Sequence, residues 1–71
     1  MKCHVTFGIS KKFVECTEIS DLLPKIRHSF GLSEAKRLHV LIFDTDFQDW
    51  VDWSETSDLP DKSKLQIIEL G

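Results

Sequence analysis

The sequence predicts an α+β fold, a mixed sheet of four to five strands with one crossing helix. Three observations predict it. Several stretches carry the two-residue period of half-buried strands, and a single stretch carries the three-to-four-residue period of a helix. The helical stretch falls between the second and third strands, where the connection is long enough to cross the sheet. The composition is 41% hydrophobic and 30% charged with only three Gly and two Pro, which is globular rather than disordered. At 71 residues the chain is one domain, 1–71, near the lower limit for folding without staples, and an excised piece of a larger protein fits that size equally well.

"MKCHVTF" opens the chain with alternation: Met1, Cys3, Val5 and Phe7 on one side, Lys2, His4 and Thr6 on the other. Gly8 begins a turn, and "KKFVECT" reads as a second strand rich in Val, Phe and Thr. A hairpin centred on Ile9–Ser10 would set Cys3 opposite Cys16 and Val5 opposite Val14 on the core side. His4 would then face Glu15 on the other side, and Phe13 would point away from the core.

A helix follows. Ser20 is the expected N-cap, and Asp21 suits the positive end of the helix dipole. Leu22, Leu23, Ile26 and Phe30 form one apolar stripe, with Lys25, Arg27 and His28 on the polar side. Pro24 is tolerable only in or near the first turn. Gly31 stands where a left-handed C-terminal cap is expected, and Leu32 can close over it. "RLHVLIFD" reads as a third strand, expected to be central. A short strand is expected around Trp50–Trp53, then a turn at "SDLPD", then a final strand "KLQIIEL".

The net charge of −3 conceals a segregation. Residues 1–41 carry seven Lys/Arg against four acids, residues 42–61 carry seven acids and no base, and residues 62–71 return to +1. The overall sign argues against nucleic acid or an anionic membrane as the partner. No apolar run approaches the ~20 residues of a membrane span, and the N-terminus lacks the order of a signal peptide. Two cysteines do not make a disulfide scaffold, so a cytoplasmic or nuclear setting is expected.

The order strand, strand, helix, strand, short strand, strand resembles the ubiquitin-like β-grasp fold over the whole chain. The local likeness is strongest to Phox/Bem domains, through "HVTFGISKKFVE", "LLPKIRHSFGL" and "LIFDTDFQDWVDW". In that family an acidic motif after the third strand receives a basic cluster from a partner, and domains assemble head to tail. The resemblance implies that Asp44, Asp46 and Asp49 form such a motif, with Asp52 and Glu55 as looser matches. It implies Lys2 as the first-strand lysine, with Lys11 and Lys12 as further candidates. Phe47 and Gln48 stand where the motif usually has Gly or Asn, and the lysine is displaced by one position. The chain is also similar to CIDE-N domains, which share the fold and pair through charged faces. Ile9, Ile42 and Ile68 fall roughly where ubiquitin has its apolar recognition patch, and an exposed patch of Phe13, Ile42 and Ile68 would be a second interface. The chain ends in a single Gly71, so a conjugated modifier is not expected.

Other chemistry fits less well. The spacing of Asp44, Asp46 and Glu55 partly matches a calcium loop, but position 5 is Gln48, position 6 is Asp49 rather than the required Gly, and strands flank it. Cys3, His4 and Cys16 could suggest zinc, yet alternation places His4 on the opposite face from both thiols. Two small thiols packed in a core is the simpler reading. A catalytic constellation of nucleophile, base and oxyanion donors is missing, so no enzyme activity and no cofactor or metal is expected. Of Trp50 and Trp53, at least one should cover the core edge, and the other could serve as a contact residue.

The acidic run has a plain reading, a solvated loop that keeps the domain soluble. The functional expectation is a protein–protein interaction module that docks a basic protein surface, or another copy of itself, through Asp44, Asp46, Asp49, Asp52 and Glu55. Lys2, Lys11, Lys12, Lys25 and Arg27 would form the opposite pole for self-association. The alternative is a ubiquitin-like domain that recruits its partner through an apolar sheet face without self-assembly.

Overall fold

The computed structural model describes residues 1–70, so the expectation resting on Gly71 lies outside the described residues. The elements are β1 (Lys2–Phe7), β2 (Ser10–Glu15), a 3₁₀ turn (Ile19–Asp21), α1 (Leu22–Phe30), β3 (Leu38–Asp44), β4 (Asp49–Asp52) and β5 (Ser63–Glu69). They form one five-stranded sheet in the order β2-β1-β5-β3-β4. β1 and β5 run parallel, and every other pair is antiparallel. This is an α+β, β-grasp-like architecture with a mixed sheet and one helix. The central strand is β5 rather than β3, because the last strand inserts between β1 and β3.

The first hairpin differs from the expected register. Phe7 pairs with Ser10 and Cys3 with Val14, so the loop is Gly8–Ile9. Gly8 adopts φ +61° while Ile9 keeps a negative φ, the combination a type II′ turn uses. Gly8 therefore belongs inside the loop, one residue earlier than expected, and every pairing shifts by two. Cys3 does not face Cys16, and Val5 pairs with Lys12 rather than Val14. His4 sits opposite Phe13, and Glu15 opposite Lys2. A two-residue shift preserves parity, so Cys3, Val5, Val14 and Cys16 still share the buried side.

The helix also starts later than expected. Ser20 lies within the 3₁₀ turn, and α1 is preceded by Asp21, whose side chain makes no capping bond. That tighter turn brings Ile19 against the core periphery. Leu22 and Ile26 are fully buried, and Leu23 and Phe30 pack beside them. Pro24 falls in the first turn, where its missing N–H breaks no helical bond. Gly31 closes the helix at φ +67°, and the Leu32 N–H donates to the Arg27 carbonyl at 2.8 Å.

The core lies between α1 and one face of the sheet. It comprises Cys3, Val5, Val14, Cys16, Leu22, Ile26, Val40, Leu65 and Ile67, closed at one end by Trp53 and Leu59. Strand ends are tied across the sheet: the Lys2 N–H donates to Asp61 Oδ1, and the Lys62 N–H donates to the Lys2 carbonyl, each at 2.8 Å. No helix among the described residues is long and apolar enough to cross a membrane.

Candidate functional site

The acidic segment folds mainly as the β3–β4 hairpin. Asp44 pairs with Asp49 across its mouth, leaving Thr45–Gln48 as a four-residue turn. Asp44 builds that turn: its Oδ1 accepts the Asp46 N–H at 2.8 Å and the Phe47 N–H at 3.1 Å. Gln48 takes φ 52°, a left-handed conformation that Gly and Asn adopt most readily. The result projects Phe47 from the tip, 82% exposed, with Asp46 beside it and Asp49 at the base. Phe47 is a contact candidate that strand alternation does not single out. Its signal was there: a large aromatic within a turn flanked by acids.

The remaining acids lie elsewhere. Asp52 belongs to the side of the sheet that α1 does not cover, where its Oδ1 lies 2.8 Å from His39 Nε2. Glu55 is in the exposed loop after β4. The five predicted acids are therefore divided between a hairpin end (Asp44, Asp46, Asp49), a sheet face (Asp52) and a loop (Glu55). The hairpin is a strand–turn–strand unit rather than a helix-flanked loop. Among the described residues no three His, Cys, Asp or Glu side chains gather as a metal site.

The predicted basic pole is dispersed as well. Lys12 Nζ donates to the Ser29 carbonyl and sits 5.2 Å from the Phe30 ring centroid. Lys25 Nζ donates to the Glu15 carbonyl at 2.8 Å. Both fasten α1 to β2. Arg27 Nη1 donates to the carbonyls of Ser33 and Lys36 at 2.7 and 2.8 Å, holding the loop after the helix. Lys2 and Lys11 instead occupy the uncovered sheet face, with Lys2 Nζ 5.1 Å from the Phe13 ring centroid. Lys11 and Lys12 lie on edge strand β2, while the hairpin acids lie at the opposite edge, so the charge segregation of the sequence becomes two edges of one sheet.

The two tryptophans take opposite roles. Trp53 is 7% exposed, and its Nε1 donates to the Asp58 carbonyl at 3.2 Å. Trp50 is on the uncovered face, with its ring centroid 5.2 Å from that of Phe43. Val51 pairs with Ile42 on the helix side but remains exposed on the edge strand β4. The predicted apolar patch breaks up in the same way. Ile42 packs against the core, Ile9 stands fully exposed in the hairpin loop, and Phe13 and Ile68 lie on the uncovered face.

That face carries a ribbon of aromatic and cationic groups. The His4 and Phe13 ring centroids are 5.2 Å apart, and Lys64 Nζ is 5.8 Å from the centroid of Phe43, which meets Trp50 edge to face. Leu41 lies beside this ribbon, half-buried. Leu41 and Phe43 could not be assigned from the sequence, because "LHVLIFD" is apolar on both alternating sides.

Two ionisable groups are shifted by their surroundings. Burial, then the neighbouring Cys16, pushes the Cys3 thiol above its ordinary range. The Lys2 backbone N–H holds the exposed Asp61 carboxyl below its ordinary range. Neither belongs to the acidic hairpin.

No family model, no curated protein and no solved structure matches this chain.

Proposed function

We propose that the chain is a protein–protein interaction module that docks a basic surface of another protein through the β3–β4 hairpin. The observation that carries this reading is the tip: an exposed Phe47 flanked by Asp46 and Asp49 on a turn held by Asp44. Exposed ion pairs contribute only ~0–1 kcal/mol each, so an acidic surface needs an apolar anchor, and Phe47 supplies one. The likeness to Phox/Bem domains supports the same reading.

The test is a titration with an Arg/Lys-rich peptide followed by NMR, at low and high salt. Shifts should centre on Asp44–Asp49, and binding should weaken as salt rises. Phe47→Ala and the double charge reversal Asp46→Lys, Asp49→Lys should each weaken it by about tenfold or more. If reversing Asp44 and Asp46 leaves every bound basic partner in place, the hairpin is not the docking site.

A second reading is favoured by the uncovered sheet face, where Phe13, Leu41, Phe43, Trp50 and Ile68 present apolar surface. That face would recruit a folded partner. Leu41→Lys would then abolish binding, while salt and the hairpin acids would matter little.

A further inference from the structure

Across the uncovered face runs a row of five residues in register, Lys11–Thr6–Gln66–Leu41–Asp52, one from each strand. It is positive at the β2 end, negative at the β4 end, and uncharged between. Beside it runs the ribbon Phe13–His4–Lys64–Phe43–Trp50, aromatic at both ends. We infer that this face is the contact surface of a closed, two-fold symmetric dimer whose occupant is a second copy of the chain. The inference concerns a different surface from the acidic hairpin and does not rest on it.

The argument is self-complementarity. In a face-to-face dimer with the two-fold axis lying in the interface along β5, the β2 edge of each copy covers the β4 edge of the other. Lys11 then meets Asp52 of the other copy, and by symmetry this pair forms twice. Thr6 covers Leu41, Phe13 covers Trp50, and His4 covers Phe43. Gln66 meets its own counterpart on the axis as an uncharged donor and acceptor. Lys64 also lies on the axis, but it leans over Phe43, which carries its ammonium away from its counterpart.

The charged ends are available for this pairing. Lys11 forms no ion pair among the described residues. The Asp52 side chain keeps 81% of its surface exposed despite the His39 contact. Sheets packed face to face keep their strands within about 30° of each other, so one axis along β5 brings all these pairs near together. A head-to-tail contact leaves one edge of each copy free and grows into chains, whereas this arrangement satisfies both edges and stops at two.

The test is mass in solution by sedimentation equilibrium over a wide concentration range, with fold retention checked by circular dichroism. The chain should pass from one to two copies and plateau there. Lys11→Asp alone and Asp52→Lys alone set like charges opposite each other twice, so each should weaken the dimer by ~10-fold or more. An equimolar mixture of the two variants restores both opposite-charge pairs and should regain the mass of two. Phe13→Glu, at a residue 70% exposed, should dissociate the dimer without unfolding the chain. Asp46→Lys at the hairpin should leave the mass unchanged, so loss of peptide binding and loss of the dimer are separable results. The inference is overturned if the parent chain stays monomeric throughout, if its mass grows beyond two, or if the single variants and their mixture behave alike.

Discussion

The two faces of the sheet are made by the same strands with the same alternation, yet they are different surfaces. The face under α1 is aliphatic and sealed: Cys3, Val5, Leu65 and Ile67 are at most 3% exposed. The other face mixes aromatic rings, lysines, histidines and Asp52, and none of its residues is fully buried. β3 makes the contrast sharpest. Val40 and Ile42 pack on the core, while Leu41 and Phe43, equally apolar, are on the open side. Hydrophobicity therefore does not separate core from contact surface here. Position relative to the helix does.

The largest test of this contrast uses the two tryptophans. Trp53→Ala removes a buried ring at the core's end and should cost about 3–5 kcal/mol, most of the stability expected of so small a domain. Trp50→Ala, on the open face, should cost well under half as much. Urea denaturation of both variants checks this, and equal losses would break the contrast.

Ile42 and Ile68 give a finer comparison, since both are isoleucines of interior strands. Ile42→Ala should cost about 2 kcal/mol through lost packing against the core. Ile68→Ala, 39% exposed, should fall within about 0.5 kcal/mol for a monomer measured at high dilution.

Neighbours Cys3 and His4 provide a chemical comparison, one residue apart and on opposite faces. Cys3 should react with a thiol reagent far more slowly in the folded chain than in denaturant. Because burial raises its folded value, its contribution to stability is fully present below the ordinary thiol range and is lost as pH rises through the raised value. Denaturation midpoints across the alkaline range should fall accordingly, and Cys3→Ala should remove that component.

The smallest effect is at Asp61. Its folded value is depressed, so its contribution is present above the ordinary carboxyl range and is lost as pH falls through the depressed value. An NMR titration of the Asp61 side chain should give a midpoint below that of an unstructured aspartate. A normal midpoint would mean that the Lys2 N–H does not hold it in solution.

Much of the fold was legible because strong local signals agreed. The stripe Leu22–Leu23–Ile26–Phe30 and the cap at Gly31 place α1 almost by themselves. The hairpin register was not legible to the residue, because it depends on whether Gly8 precedes the loop or enters it. The candidate site was legible in part. The acid-rich segment announced itself, but its division between tip, sheet face and loop did not, since Asp49 and Asp52 differ only in parity along a four-residue strand. The placement of the lysines was not legible for another reason. Lys12, Lys25 and Arg27 are spent on backbone carbonyls of the neighbouring strand, helix and loop.

By itself the sequence determined the element order, the membership of each alternating set, and the separation of charge along the chain. These follow from period, capping and composition, which are local. Only the tertiary structure decided which alternating set of β3 faces the helix, which tryptophan is buried, and that Asp52 stands apart from the hairpin acids. An alternating strand defines two sides without saying which will be covered. That choice belongs to the crossing helix and to the last strand, β5, which inserts at the centre of the sheet and joins Lys11 and Asp52 as the two ends of one row.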